Sequence, residues 1–243
     1  DTWAMPTYRD EAVILRTHKL GEVDRILTLL TRHHGQVRAV AKGVRKTSSR
    51  FGGRLEPFMV VDLQLYEGKS LDNVSQAEQL ANYGAAIAVD YPRYTVASAI
   101  AETAERMTRE VSSERNYLLV LGALRTLAAG EISPDQVLDS YLLRALALSG
   151  WVPALDECSS CGSEPVAFST HTGAVACQQC TLPGAVRLGV EGLEHMKNLL
   201  AGSWDEVAAS REQVRTAVSG VIAGYLQWQL ERGLRSLSFV ERN

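Results

Sequence analysis

The first third of the chain alternates apolar and polar positions, whereas the rest repeats apolar positions at helical spacing. Alternation bounded by glycine-containing turns predicts strands. We predict five, over residues 8–16, 24–32, 36–42, 57–66 and 71–78, with a long polar loop over 45–54. Five short strands cannot protect their edges in a flat sheet, so a small closed barrel of the OB type is the economical arrangement. An SH3-like barrel has a similar length, and the strand count does not decide between the two.

Helical periodicity begins near residue 84. One helix is predicted to begin at Ser133-Pro134, where Gln136 completes a capping box, and to end at Gly150. Helical spacing resumes after a cysteine-containing segment. The predicted fold class is therefore α+β and multidomain, with an N-terminal OB-fold β-barrel followed by an α-helical domain that carries an inserted four-cysteine zinc-binding module. The predicted boundaries are 1–80 for the barrel, 81–157 for a helical bundle, 158–183 for the zinc knuckle and 184–243 for the continued bundle.

Composition places the chain among ordinary globular proteins. Hydrophobic residues make up 46% and charged residues 22%, which excludes wholesale disorder. No apolar run approaches the ~18 residues of a membrane span, and the N-terminus has neither a basic segment nor an apolar one typical of a secretory signal. We therefore expect a cytoplasmic protein without a membrane partner.

Charge is distributed unevenly along the chain. Net charge is −3, but residues 1–80 contain 12 basic and 10 acidic side chains, against 13 and 18 in the remainder. From Arg32 to Arg54 there are seven basic residues and no acidic one. Local concentration of charge, rather than its total, sets the potential that a polyanion meets. This segment is a candidate nucleic-acid contact; a solvated loop is the plain alternative.

The cysteines have the spacing of a metal site. They fall in two C-x2-C pairs separated by fifteen residues: Cys158, Cys161, Cys177 and Cys180. Four thiolates at this spacing predict a structural zinc ion, because they complete a tetrahedron and leave no position for water. Two disulfides would require an oxidising compartment, and a thioredoxin-like motif would require a pair that opens a helix in a βαβ unit. Neither feature is apparent.

No catalytic motif can be assembled from the remaining residues. The sequence lacks a P-loop, H-E-x-x-H, G-x-S-x-G and the deaminase signature. His33 and His34 are expected to be solvated side chains in a basic turn, and Glu22 and Asp24 to anchor a loop. We therefore predict a protein that is not an enzyme.

Three stretches of sequence together resemble a known family. EAVILRTHKLGEVDRILTLLTRHHGQVRAVAKGVRK, SRFGGRLEPFMVVDLQLYEG and the cysteine pairs after a helical segment are similar to the bacterial RecO recombination mediators. The resemblance extends over nearly the whole chain and is strongest in the first 80 residues. It implies an N-terminal OB-fold, helical regions and, since all four cysteines are present, a bound metal.

The resemblance also implies a function in DNA repair. Members of that family bind single- and double-stranded DNA, anneal complementary strands and act with RecR. Together they help RecA replace single-strand binding protein on damaged DNA. For this chain the same role would imply DNA, RecR and single-strand binding protein as partners, a functional link to RecA and a nucleoid-associated location in the cytoplasm.

The residues themselves favour the basic segment as the DNA site. OB barrels bind strands across one face, with cations for phosphates and aromatic rings for stacking. Arg38 and Lys42 share a face of the third strand, and basic residues follow in the loop. Phe51 is a candidate for stacking, although capping the barrel is equally compatible with its position, and Tyr66 is a weaker candidate. The predicted DNA-binding residues are Arg38, Lys42, Arg45, Lys46, Arg50, Arg54 and Phe51.

Two other functions remain open from the sequence. A barrel with a four-cysteine zinc site also occurs in nucleic-acid repair enzymes such as bacterial DNA ligases, but the K-x-D-G nucleotidylation signature is absent. A zinc-containing scaffold that binds only proteins would leave the basic loop solvated. DNA binding at two salt concentrations distinguishes the scaffold from a DNA-binding protein, and an adenylation assay tests the ligase-like alternative.

Overall fold

A computed structural model describes residues 6–49, 51, 53–110 and 112–240, with side chains as far as residue 231. By its contacts the chain forms two compact units, 1–134 and 135–243. Among the described residues, the first unit contains five strands and three helices, and the second contains four helices and three short strands. None of the described helices combines the length and apolar character needed to cross a bilayer.

Four antiparallel pairings and one parallel pairing close the first sheet into a barrel. The strands are β1 (Thr7–Leu20), β2 (Asp24–Thr31), β3 (Gln36–Ala41), β4 (Met59–Tyr66) and β5 (Asp72–Asn82). Their order is β1-β2-β3-β5-β4, and the long β1 pairs with both β2 and β4. A short parallel contact at Ala39↔Asp72 and Val40↔Asn73 joins β3 to β5. The predicted five-stranded closed barrel is confirmed, and its strand bounds lie close to the predicted ones.

The barrel is filled by alternate residues of its strands. Because successive strand side chains point to opposite faces, apolar residues two apart share the interior. Val44, Phe51 and Leu55, from the loop after β3, add to the same core. The strand residues of this core are Ala12, Ile14, Leu27, Leu29, Ala39, Ala41, Met59, Val61, Leu63, Leu65 and Val74.

Three helices share the first unit with the barrel, although the sequence grouped them with later helices in a bundle over 81–157. They are α1 (Tyr83–Ala88), α2 (Tyr91–Met107) and α3 (Glu114–Ala129). Arg16 of β1 pairs with Glu105 of α2 at 3.2 Å, and Arg32 pairs with Glu114 of α3 at 2.7 Å. Polar contacts therefore join both helices to the barrel's outer surface.

Helix α4 (Pro134–Leu148) is the centre of the second unit, and nine of its residues are buried. Its neighbours are α5 (Gly189–Ala201), α6 (Trp204–Ala209) and α7 (Glu212–Val240). Gln136 donates to the Val207 carbonyl at 2.7 Å and Ser140 to the Leu199 carbonyl at 2.7 Å. These two hydrogen bonds determine the position of α4 relative to α5 and α6, because the buried donors Gln136 and Ser140 find their acceptors on those helices.

Asp139 is the buried carboxyl group of this helix. It is 5% exposed and accepts a hydrogen bond from Ser219 of α7 at 3.1 Å. Burial raises its pKa to about 6, against a weaker lowering by the Ser219 hydrogen bond. The folded state therefore holds this proton at pH values where the unfolded chain has released it.

We expect Asp139→Asn to stabilise the protein at pH 7.5 by about 2 kcal/mol, because the amide removes a buried charge and keeps an acceptor for Ser219. The sign follows from the raised pKa: in the unmodified protein this group lowers the free energy of unfolding as pH rises from ~4 to ~6, and the loss persists above pH 6. Urea unfolding at pH 5 and 7.5 measures both effects. Glu194→Gln, on the exposed face of α5 and not among the groups that shift the pKa of Asp139, is the control; equal behaviour of the two variants would contradict the assignment.

Candidate nucleic-acid interface and metal centre

Basic side chains stand exposed along β3 and the loop that follows it. Ala39 and Ala41 lie in the barrel core, so Arg38 and Lys42, which alternate with them, lie on the outside. Arg50, predicted to act with them, lies outside the described residues. We call the exposed set the β3 basic surface; it consists of Arg38, Lys42, Arg45, Lys46 and Arg54.

These cations lack the acidic partners that the barrel arginines Arg9, Arg16, Arg25 and Arg32 have. Within the described part of the chain, no carboxylate oxygen lies within 4.0 Å of any of the five. By contrast, Arg9 pairs with Asp62 at 2.7 Å and Arg25 with Glu56 at 2.6 Å. The positive charge of the β3 basic surface is therefore available to an external anion.

A turn held by a carboxylate sets the positions of the loop cations. The Asp24 carboxylate accepts a hydrogen bond from the Gly43 amide at 2.7 Å, and Gly43 has φ of 67°, a conformation that favours glycine. The Arg45 amide donates to the Val23 carbonyl at 2.9 Å, and the Lys46 amide to the Gly43 carbonyl at 3.1 Å. The prediction that Asp24 anchors a loop is confirmed, and the backbone carrying Arg45 and Lys46 is positioned before any ligand arrives.

Phe51 does not belong to this surface. Its side chain is 2% exposed and packs in the barrel core. A base cannot reach the face of a ring buried to this degree, so the stacking role predicted for Phe51 is corrected to the alternative one, closing the barrel. The apolar residues Val44 and Leu55, buried on either side of it in sequence, show why: the loop folds its few apolar side chains inward. Tyr66, at the end of β4, is 39% exposed.

The four cysteine sulfurs converge in the second unit. All four Sγ atoms lie within 4.8 Å of one another, and the Cys161 sulfur is 3.7 Å from those of Cys177 and Cys180. A disulfide would need about 2.05 Å, and all four cysteines are free. Sulfurs at the corners of a tetrahedron with Zn–S bonds of ~2.3 Å are about 3.8 Å apart. The cluster therefore has the donors and the spacing to hold one metal ion.

Short strands and knuckle turns bring the sulfurs together. Strand β6 (Ala167–Ser169) pairs with β7 (Ala174–Ala176) and with β8 (Val186–Arg187). Cys177 follows β7 directly, and the Ser159 amide donates to the Val175 carbonyl at 3.1 Å. The first knuckle is thereby attached to the strand that leads into the second.

The environment of the sulfurs favours some thiolates and opposes others. Hydrogen bonds from backbone amides, first that of Cys177, lower the pKa of Cys158 to about 6. The sulfurs of Cys161, Cys177 and Cys158 raise the pKa of Cys180 to about 12. Four thiolates in one cluster repel one another, so a bound cation is needed to keep all of them ionised.

The structure also assembles a cluster that the sequence analysis missed. The buried Asp10 carboxylate accepts hydrogen bonds from the His33 and His34 amides, at 2.9 and 3.1 Å, and lies 2.9 and 2.7 Å from their Nδ1 atoms. The two histidines are thus held in place rather than freely solvated. The available signal was an aspartate on the same, inward-facing side of β1 as the core residues Ala12 and Ile14, because a buried carboxylate requires polar partners.

Comparison with known proteins covers both units. The family model described as Recombination protein O N terminal matches residues 5–83, and that described as Recombination protein O C terminal matches 88–238. A protein of Frankia casuarinae called DNA repair protein RecO is 53% identical over 242 residues, covering 98% of this chain and 100% of its own length. Proteins of the same name from Thermobifida fusca and Nocardioides sp. are 51% and 48% identical over 242 residues, covering 98% and 97% of this chain and 100% and 99% of their own lengths. Matches of this extent across the barrel, the helices and the cysteine module show that the chain belongs to the RecO family of DNA repair proteins.

Proposed function

We propose that this chain is a recombination mediator that binds single- and double-stranded DNA without sequence preference through its β3 basic surface. The observation that carries the proposal is the set of five exposed cations without a carboxylate partner among the described residues. Cations that are not paired with a carboxylate attract phosphates, and the release of the counterions of DNA provides the driving force for binding. Phosphate contacts carry no base identity, so the binding tolerates any sequence.

Annealing follows from the same chemistry. Strands held by their phosphates keep their base edges accessible, and neutralising phosphate charge lowers the repulsion between two strands. Membership of the RecO family supports this use of the surface in DNA repair. Within the proposal, the chain acts with RecR on DNA coated with single-strand binding protein and helps RecA to load, in the nucleoid region of the cytoplasm.

No catalytic step is part of the proposal. Binding and annealing exchange non-covalent contacts, so they need no nucleophile and no nucleotide hydrolysis. The sequence carries no P-loop that would cradle a nucleoside triphosphate. The chain's residues would therefore act by binding and aligning strands.

The metal in the proposal is zinc, held by the four cysteines. The separation of the sulfurs fits a tetrahedral ion, and an all-thiolate set is typical of structural zinc. The ion would cross-link the two C-x2-C knuckles, whose thiolates otherwise repel one another. Tyr225 of α7 packs edge-on against Phe168 of β6 and donates to the Trp151 carbonyl at 3.2 Å, so the ordered module supports the longest helix.

We expect the paired substitutions Lys42→Ala and Arg45→Ala to weaken binding of single-stranded DNA on every sequence alike. If about four cations neutralise phosphates, a plot of log K for DNA association against log salt concentration has a slope near −3. In the double variant this slope becomes shallower by about one to two units, because two of the phosphate contacts are lost. Fluorescence titrations at several salt concentrations measure it. The control is Arg9→Gln with Arg16→Gln, which removes the same amount of charge from two arginines that are paired with carboxylates. If the control variant bound DNA as weakly as the test variant, the location of the DNA site on the β3 basic surface would be contradicted.

Zinc should be present at one ion per chain in protein purified under reducing conditions, and Cys161→Ser should reduce that content strongly. Ser160→Ala, next to the ligand but contributing no sulfur, should keep it. Chelation should expose residues 156–187 to limited proteolysis while DNA binding by the barrel persists, because the barrel has its own core. Metal-free reduced protein with an ordered module would contradict the zinc assignment.

Strand annealing on DNA coated with single-strand binding protein should proceed equally well with and without ATP and Mg²⁺. The reason is that annealing of complementary strands is downhill and needs only charge neutralisation and alignment. Annealing followed by gel electrophoresis tests this, with the Lys42→Ala, Arg45→Ala variant as the impaired comparison. Dependence on ATP, or no annealing at all, would contradict the proposed mediator function.

A further inference from the structure

The two histidines of the β2–β3 turn present one ring nitrogen each to the solvent. Their Nδ1 atoms lie against the carboxylate of Asp10, whose side chain is fully buried. The side chains of His33 and His34 are 61% and 47% exposed, and no described residue bonds to either Nε2 atom. The outward nitrogens are therefore the atoms at which an external ligand would meet the two rings.

The Asp10 carboxylate is suited to this arrangement. Burial alone would raise its pKa, but the hydrogen bonds from His34 and His33 outweigh burial, and the pKa is lowered. The carboxylate is therefore ionised at neutral pH and keeps both Nδ1 atoms protonated. A carboxylate behind an imidazole fixes the tautomer and orientation of the ring.

Fixed charges around the histidine pair come from every neighbouring element. Tyr8 of β1 stacks on His34 with ring centroids 4.5 Å apart, and its hydroxyl donates to Asp72. Gly35 lies against Ser112 of the α2–α3 turn, which also carries one basic and one acidic residue, Arg109 and Glu110. The other carboxylates at this end of the barrel are Asp10, Glu11, Glu67, Asp72 and Glu114, and the other permanent cations are Arg32, Arg38 and Lys69.

The balance of these charges depends on the two imidazoles. With both rings neutral, the carboxylates of this end outnumber the cations by two. With both rings protonated the charges are equal, and two N–H groups face the solvent. The second state favours a phosphate at this position more than the first does, because an excess of carboxylates repels an anion.

We propose that His33 and His34 form a proton-dependent phosphate contact that extends the β3 basic surface along the strand. The inference rests on the proposed DNA-binding function and adds a second set of contacts to it. When the rings are protonated, the bound strand follows β3 from Lys42 past Arg38 to the turn; when they are neutral, its contacts end near Arg38.

The geometry of β3 fits a linear path. Arg38 is four positions after His34, and Lys42 is four positions after Arg38. At ~3.3 Å per residue along the strand, Arg38 and Lys42 are about 13 Å apart, whereas His34 lies before β3 in the turn, where Gly35 has φ of 70°. Contacts along β3 and at the turn that precedes it fit the extended tracks on which OB folds bind several nucleotides.

The test compares binding of labelled oligothymidylate at pH 6 and pH 8 and constant ionic strength, because thymine does not titrate in this range. The test variant is His33→Asn with His34→Asn, whose amide nitrogens replace Nδ1 as donors to Asp10 but carry no charge. We expect unmodified protein to bind about tenfold more tightly at pH 6 than at pH 8, and its salt slope to steepen by about one unit. The double variant should change less than twofold between the two pH values.

Two comparisons make the result decisive. The Lys42→Ala, Arg45→Ala variant should bind more weakly at both pH values and keep the pH ratio of the unmodified protein. Should the double asparagine variant fail to fold by circular dichroism, the single variants His33→Asn and His34→Asn should each lose about half of the logarithmic ratio. A pH ratio that persists without the histidines, or that the unmodified protein lacks, would overturn the inference. Absence of DNA binding at both pH values would overturn the proposed function itself.

Discussion

Closure of the five-stranded barrel is the constraint on which the rest of the first unit depends. A closed barrel this small has room only for side chains, so most of the inward-facing residues of its strands must be apolar. Ala39 and Ala41 meet that requirement on β3 and so put Arg38 and Lys42 outside. The cations need no separate scaffold, because the packing that stabilises the barrel also determines where they stand.

Two aspartates organise the ends of this arrangement. Asp24 holds the turn after β3 through the Gly43 amide, and Asp10 holds the turn before β3 through the two histidines. Each carboxylate uses its charge on neighbouring N–H groups, which makes it a poor competitor for the exposed cations. The acidic residues of the barrel therefore order the strand on which the β3 basic surface lies without neutralising that surface.

The cysteine module of the second unit depends on a different interaction, the convergence of four sulfurs. The strands β6 and β7 are three residues each, too short to be stable alone. The β6–β7 hairpin has the cysteine cluster at one end and Tyr225 of α7 at the other. At the Tyr225 end, Gly173 leaves just enough space for the tyrosine hydroxyl. A side chain at Gly173 would displace α7 from the hairpin, so the module and the helix form one structural element.

Pattern and spacing in the sequence determined the five strands of the barrel, its closure, the helix beginning at Pro134 and the four-cysteine cluster, because each depends on residues close in sequence or on a strict period; the short strands β6 to β8 were not predicted. Tertiary structure alone decided which cations are free. Arg32 and Arg38 look alike in the sequence, but Arg32 meets Glu11 and Glu114 from distant elements, while Arg38 has no carboxylate partner among the described residues. Only the folded barrel could show that Phe51 is a core residue and that His33 and His34 share one buried carboxylate. The physical reason is that burial and charge pairing depend on contacts between residues far apart in the chain, which local periodicity does not record.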